Sequence, residues 1–279
     1  MAIPTRVRDR IVSALKRMTP IILQQKARDV SEADTVTLVK DLLSEVFGYD
    51  KYAELTSEHA IRGTYCDLAI KTDDKLAKLV EVKAIGIALD DRHVKQAVDY
   101  AANEGVEWVI LTNATHWRIY QVIFAKPIDK RLLVEIELVT LNLKSDESLE
   151  LLYLLTKEGF GKGAHLALRD RQDASSRFML AAIILQNEAV RSTIRRELRR
   201  VVDVLVDDEV IEVVLRDEVI KRDALEGPSA EAAMRRVNRH EARPMRKAKS
   251  TDEVDGAGAE DQKGTVAESE GEEKVGSAG

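Results

Sequence analysis

Two hydrophobic periods run along the chain and divide it into regions of different predicted structure. In residues 1–29, and again after Ser31, apolar side chains recur every three or four positions, which is typical of helices with one buried face. Ser31 is a suitable first cap for the second helix, and Gly48 is a suitable end. We therefore predict a basic helical lead-in over residues 1–29, interrupted or kinked at Pro20.

After Glu58 the period changes to two, which indicates β-strands. The predicted strands are TYCDLAIK, KLVEVKA, VEWVILT, HWRIYQVIF and RLLVEIELV, preceded by a short strand at HAIR. The segment HVKQAVDYAANEG has helical spacing and separates the third strand from the fourth. A strand, helix, strand succession requires a crossover connection and a sheet covered by helices. Residues 30–144 are thus predicted to form an α/β domain with a mixed β-sheet flanked by helices.

The remainder of the chain divides into three predicted segments. Residues 145–226 are almost wholly helical in pattern. Residues 227–249 form a basic linker that is suited to hold phosphates, although a solvated basic segment explains it equally well. Residues 250–279 contain no aromatic, leucine or isoleucine side chain, so they cannot bury enough surface to offset the entropy of ordering. This acidic tail is predicted to be disordered.

Composition narrows the classes of protein to consider. Lys and Arg number 43 against 49 Asp and Glu, a formal net charge of −6. No apolar run approaches the roughly 20 residues that cross a bilayer. The single cysteine, Cys66, cannot form an internal disulfide. We expect a cytoplasmic protein with no membrane partner.

The candidate chemistry lies in one predicted hairpin, CDLAIKTDDKLAKLVEVKA. Side chains alternate along a strand, so Glu81 and Lys83 share one face. If the turn is centred near Asp74, Asp67 lies opposite Glu81. The sequence therefore predicts that two carboxylates and one ammonium group converge.

Two neighbouring carboxylates repel each other unless a cation lies between them, and oxygen ligands suit Mg²⁺. Asp67, Glu81 and the backbone carbonyl of Val82 are candidate ligands. Lys83 would then orient a water molecule or stabilise charge on a phosphate oxygen, as phosphodiester hydrolysis requires. The alternative is an exposed hairpin face on which the three charges form cross-strand ion pairs, and spacing alone leaves both interpretations open.

Several separated motifs together resemble the PD-(D/E)xK nuclease superfamily. They are Asp67, the EVK of residues 81–83, and Gln96 with Tyr100 on the following helix. More closely, the chain resembles the N-terminal nuclease domain of type I restriction enzyme R subunits and stand-alone, type IV-like restriction endonucleases. The strand, Thr-Asn turn and Trp-containing strand of ILTNATHWRIYQV are similar too, and Glu32 matches a glutamate on the first helix of that family.

This resemblance implies a restriction-endonuclease-like fold and a nuclease that cleaves DNA with Mg²⁺ or Mn²⁺, in restriction or defence against foreign DNA. It implies Asp67 and Glu81 as ligands, with Glu32 as an accessory ligand. It implies Asp67, Glu81, Lys83 and Gln96 as catalytic residues, and Gln96 and Tyr100 as DNA-contacting or site-orienting residues. Gln96 and Tyr100 are expected to share a helix face distinct from the apolar stripe.

The resemblance also implies DNA as partner, with a specificity or methyltransferase subunit or a second copy as further partners. The alternative is a nucleic-acid-binding or assembly module of the same fold without catalysis. GFGKG at residues 159–163 lacks the Walker spacing, so it predicts a loop between helices and no ATP site.

Overall fold

The computed structural model describes residues 2–61 and 64–252, with side chains described outside 58–65 and 243–252. The chain divides into two compact units after Ala174. The first unit contains the predicted sheet and the second is helical, so the predicted succession of a mixed sheet and a helical region is confirmed.

A six-stranded mixed sheet forms the centre of the first unit. Its strands lie in the order of the chain, and only the third and fourth are parallel. The parallel pair is joined by helix α3 (Asp91–Asn103), which supplies the predicted crossover connection. The strands are β1 (Leu55–Ile61), β2 (Thr64–Thr72), β3 (Lys75–Val82), β4 (Trp108–Thr112), β5 (His116–Ile123) and β6 (Asp129–Glu137), and α3 spans Asp91–Asn103.

Helices cover both faces of the sheet. Val80 and Val82 of β3 belong to one apolar cluster, whereas Leu79 belongs to another, as alternation along a strand requires. The first cluster includes side chains of α1 (Thr5–Ala27), α2 (Glu32–Asp41) and α4 (Asp146–Tyr153), and the second includes side chains of α3. The helices of this unit are α1 (Thr5–Ala27), α2 (Glu32–Asp41), α3, α4 (Asp146–Tyr153), α5 (Lys157–Gly161) and α6 (Ala164–Ala174), with a π-helical turn at Leu42–Val46 and a 3-10 turn at Leu138–Thr140.

The basic lead-in is helical, as predicted, and its apolar face belongs to the first cluster. Ile11 and Ile22 of α1 are completely buried. Pro20 does not interrupt the helix, contrary to one of the two expectations. Proline removes the hydrogen bond to the carbonyl of Lys16, and both residues lie on the exposed face, where water can satisfy that carbonyl.

The turn between β2 and β3 has the geometry of a two-residue hairpin. Asp73 and Asp74 have φ angles of 50° and 59°, the conformation of a type I′ turn. A register shift between Ile70 and Lys71 leaves one extra residue, Ala77, on the β3 side, because Ile70 pairs with Lys78 and Lys71 with Leu76. Beyond that bulge Leu68 pairs with Val80, the register that a turn centred at Asp74 predicts.

Only the last two residues of the GFGKG segment, Lys162 and Gly163, form the predicted loop between helices. Its first three residues belong to α5, where the side chain of Thr156 caps the helix by accepting a 2.9 Å hydrogen bond from the N–H of Gly159. A Cβ atom at Gly159 would lie 1.9 Å from the carbonyl oxygen of Tyr153. Glycine is therefore needed here for close backbone packing, a reason unrelated to phosphate binding.

The second unit consists of helices α7 (Arg177–Gln186), α8 (Glu188–Val202), α9 (Asp208–Val214) and α10 (Pro228–Asp252), with a π-helical turn at Leu215–Val219 and a 3-10 turn at Arg222–Ala224. The segment predicted as a basic linker, residues 227–249, is helical. Ala233 and Val237 of α10 are buried against Ala182 of α7. The predicted disordered tail lies outside the described residues from position 253 onward. Of the described helices, none has the length and apolarity to cross a membrane.

Candidate active site

Four predicted side chains converge where β3 ends. The ammonium group of Lys83 lies 2.7 Å from Oε1 of Glu81 and 3.6 Å from Oε2 of Glu32. Oδ2 of Asp67 accepts a 2.7 Å hydrogen bond from the backbone N–H of Val82. The structure therefore brings the predicted carboxylates, the lysine and the Val82 backbone into one place.

Hydrogen bonds of the backbone just after β3 fix the position of the site relative to β4 and α2. The N–H of Lys83 donates to the carbonyl of Thr112 at the end of β4, at 2.8 Å. The N–H of Ile85 donates to Oγ1 of Thr35 on α2, at 3.1 Å. Because Ser31 caps α2 by accepting from the N–H of Asp34, the first turn of this helix, which carries Glu32, has a defined start. The site is thus assembled from β2, β3 and α2.

The site is not the exposed hairpin face of the alternative interpretation. Glu81 retains 7% of its accessible surface and Asp67 is half-buried. The side chain of Lys83 is 20% exposed, and that of Glu32 is 48% exposed. Charged side chains on a solvated hairpin would remain in water. Removing a charged group from water costs free energy, and that cost must be compensated by another interaction.

Burial and mutual repulsion shift the pKa values of the carboxyl groups. Burial raises the pKa of Glu81 to about 6, and Asp67 and Glu32 add to the rise while the hydrogen bond from Lys83 opposes it. Burial likewise raises the pKa of Asp67, although the N–H of Val82 and the charge of Lys83 lower it. Three carboxyl groups thus share one ammonium group, and both burial and the neighbouring carboxylates disfavour the ionised form of Glu81.

The pKa of Lys83 moves upward for the complementary reason. Burial alone lowers it, but the hydrogen bond to Glu81 and the charges of Glu81, Glu32 and Asp67 outweigh that effect, so the pKa of Lys83 lies above its usual value. Lys83 is consequently an ammonium ion at neutral pH and a hydrogen-bond donor. It does not act as a general base in this state.

The Thr-Asn turn next to the site has a structural role. Oδ1 of Asn113 accepts hydrogen bonds from the N–H and hydroxyl of Thr115 and from the N–H of His116. Ala114 has a positive φ of 69°, and Nε1 of Trp117 donates to its carbonyl at 3.0 Å. This closed turn fixes the end of β4, which in turn holds the backbone of Lys83.

Gln96 and Tyr100 of α3 line one shallow groove but differ in burial. Gln96 is exposed, whereas Tyr100 is 3% exposed and packs with Val98 and Ala101. The prediction that Tyr100 lies apart from the apolar stripe was wrong, because its ring extends that stripe by one position. Its hydroxyl has no hydrogen-bond partner among the described residues. Neither residue has a described hydrogen bond or ion pair with the four converging side chains.

One buried charged residue was missed by the sequence analysis. Lys78 of β3 is only 2% exposed, donates a hydrogen bond to the hydroxyl of Tyr49, and lies 3.5 Å from the ring centroid of Phe160. Burial lowers its pKa far below the usual value, with Glu54 opposing. The signal was available, because Lys78 has the same strand parity as Val80 and Val82.

The donor set of the site fits a divalent ion in chemistry. It offers carboxylate oxygens and a nearby backbone carbonyl, the ligands that Mg²⁺ takes, and its excess negative charge is what such an ion would neutralise. Among the residues whose side chains the structure describes, 2–57 and 66–242, however, no group of three or more His, Cys, Asp or Glu side chains has the arrangement to hold a metal ion. Lys83 lies between Glu81 and Glu32, so a shift of its ammonium group would accompany metal binding.

Residues 37–136 match a family described as the type I restriction enzyme R protein N terminus. This segment is similar to that family. The match confirms the resemblance and indicates a nuclease-like role in restriction. It includes Asp67, Glu81 and Lys83, whereas Glu32 precedes the matched residues and the second unit follows them. No curated protein and no solved structure matches the chain.

Proposed function

We propose that this protein is a Mg²⁺- or Mn²⁺-dependent endonuclease that hydrolyses DNA phosphodiester bonds in restriction or defence against foreign DNA. The observation that carries the proposal is the convergence of Glu32, Asp67 and Glu81 on Lys83, half-buried, within a restriction-enzyme family domain. An excess of carboxylates over ammonium groups in a partly buried place is a poor way to stabilise a fold and a suitable way to bind a divalent cation.

In this proposal Asp67, Glu81 and the carbonyl of Val82 hold the metal, and Glu32 is an accessory ligand. A bound Mg²⁺ supplies positive charge that stabilises the negative charge developing on the phosphate. Lys83, protonated at neutral pH, donates a hydrogen bond to a phosphate oxygen or orients the attacking water. Gln96 is exposed and contacts the DNA backbone, whereas the buried ring of Tyr100 supports the helix beneath it.

Cleavage of supercoiled plasmid by the full chain with Mg²⁺ tests this proposal. Asp67→Asn, Glu81→Gln and Lys83→Ala should each lower the rate about 10²- to 10⁴-fold, the usual contribution of an acid–base or electrostatic group. Asp9→Asn and Lys75→Ala change an exposed carboxylate on α1 and an exposed lysine on β3, and they should cut like the parent. Parental activity in the three site variants would show that the site is not catalytic.

A specific observation favours a second candidate, a DNA-binding or assembly module without catalysis. Lys83 already engages Glu81 and Glu32, which is how a purely structural ion pair would be arranged. Ca²⁺ distinguishes the two, because it accepts irregular geometry and should support DNA binding without cleavage in a nuclease. We expect Ca²⁺ to tighten DNA binding by the parent and not by Asp67→Asn. A protein that binds DNA equally with and without divalent ions, and never cuts it, is the module.

A further inference from the structure

The second unit leaves a strip of apolar side chains uncovered where α8 passes into α9. Val201, Val202, Val204 and Leu205 are 73%, 56%, 55% and 61% exposed, and these four residues are called the valine strip. On α9, Val210 and Val213 are a further 52% and 49% exposed. Single exposed apolar side chains are common, but a succession of this length is unusual in a soluble domain and calls for an explanation.

Helix α8 is itself incompletely covered. Val190, Ile194 and Leu198 recur every four residues and form an apolar stripe, yet none of the fifteen residues of α8 is buried. A helix of this kind obtains most of its stability from the burial of its apolar face. The stripe is partly buried, and it leads directly into the valine strip, which is exposed.

The charges beside the α8 stripe and the valine strip indicate the kind of partner that covers these side chains. Helix α8 carries five arginines and two glutamates, a net +3, whereas residues 203–219 carry seven acids and one arginine, a net −6. Arg199 on α8 and Glu209 on α9 are exposed and form no ion pair within the described residues. The surface therefore presents both signs of charge beside the same apolar strip.

We infer that this surface is an interface between two copies of the chain. In a two-fold dimer each patch meets its own copy, so the basic α8 of one subunit can lie against the acidic segment of the other while the valine strips pack together. Nucleic acid and anionic lipid fit less well, because residues 203–219 would repel phosphate groups. The inference does not depend on the proposed nuclease activity.

Analytical ultracentrifugation of the full chain from about 1 to 100 μM tests the inference, since mass action makes a dimer depend on concentration. We expect a monomer–dimer equilibrium that Val204→Asp/Leu205→Asp weakens at least about tenfold, as the loss of a central apolar contact does. Leu132→Asp is the matched control, because Leu132 is 44% exposed on β6 of the other unit. Circular dichroism would show that all three proteins keep their helices.

Charge variants test the self-complementary arrangement. Arg199→Glu and Glu209→Arg should each weaken the dimer, and higher salt should weaken the parent dimer, because attraction between exposed charges is screened. A monomer at every concentration overturns the inference. So does a dimer that the valine-strip variant weakens no more than Leu132→Asp does, or one that neither charge variant changes.

Discussion

Lys78 and Lys83 lie five positions apart on and just beyond strand β3, and their surroundings give them opposite properties. Lys78 is enclosed by the rings of Tyr49 and Phe160, and burial lowers its pKa. Lys83 is also partly buried, but Glu81 and Glu32 lie at 2.7 and 3.6 Å, and its pKa is raised. The difference shows that the charges within about 4 Å, and not burial alone, decide the state of a lysine.

Lys78 is a packed side chain of the core, whereas Lys83 is suited to contact a phosphate group. Lys78 has one polar partner and two aromatic rings, and no carboxylate close enough to form an ion pair within the described residues. Lys83 is 20% exposed and remains a hydrogen-bond donor that a bound phosphate could reach. We therefore expect substitutions of the two lysines to affect different measurements.

The largest expected effect is on cleavage. Lys83→Met should lower the rate of Mg²⁺-dependent DNA cleavage about 10²- to 10⁴-fold, because the ammonium group that stabilises the phosphate charge is lost. Lys78→Met should retain cleavage, because Lys78 does not face the converging carboxylates. Plasmid cleavage rates under identical conditions test both. Equal losses in the two variants would mean that the two lysines do not differ in role.

The next effect concerns the stability of the protein around the buried Lys78. Lys78→Met removes a buried amine but leaves the hydroxyl of Tyr49 buried without that partner, at a cost of about 1 to 3 kcal/mol. Lys78→Met/Tyr49→Phe should therefore have a higher free energy of unfolding than Lys78→Met by that amount, measured by urea denaturation. Tyr52→Phe is the control, because Tyr52 is 93% exposed. A double variant less stable than Lys78→Met would contradict the account of this pair.

The surroundings of Lys83 differ from those of Lys78 in a further way, because Glu81 should make the free energy of unfolding depend on pH. Because the pKa of Glu81 rises from its usual 4.5 to about 6 on folding, the folded state binds more protons between these values. The contribution of this pKa shift to the free energy of unfolding is fully present below pH 4.5 and is lost as the pH rises through 6. The loss amounts to about 2 kcal/mol. Glu81→Gln should remove this part of the pH dependence. Unfolding free energies from pH 4 to 7 that fall equally in parent and variant would assign the effect to another group.

The smallest effect extends the comparison of exposed and enclosed side chains to α3. Gln96→Ala should lower cleavage about 2- to 10-fold, since one hydrogen bond contributes about 0.5 to 1.5 kcal/mol. Tyr100→Phe should leave cleavage unchanged, because its hydroxyl is buried away from any described partner. Initial cleavage rates at limiting DNA test both variants. A loss in Tyr100→Phe larger than that in Gln96→Ala would place the tyrosine hydroxyl at the DNA.

Much of the site was predictable because it depends on local rules. Alternation along β2 and β3 and a tight turn suffice to place Asp67 near Glu81. A turn at Asp73 and Asp74 alone would shift the pairing by one residue, and the extra residue Ala77 on β3 restores the predicted register. The helix that carries Glu32 was predicted from its cap and its period. Its approach to Lys83 was expected only from the family resemblance, because local spacing contains no information about how a helix packs on a sheet.

The sequence by itself determined the strands of the sheet, most of the helices, their order, and which strand pair requires a crossover, because hydrophobic period and turn residues are properties of neighbouring positions. Only the tertiary structure decided that Glu81 is buried, that Lys78 is enclosed by aromatic rings, that Tyr100 extends the apolar stripe, and that residues 228–252 form a helix packed on α7. Burial and pKa depend on atoms contributed by elements distant in the chain, and a period of two or of 3.6 does not specify which of them will meet.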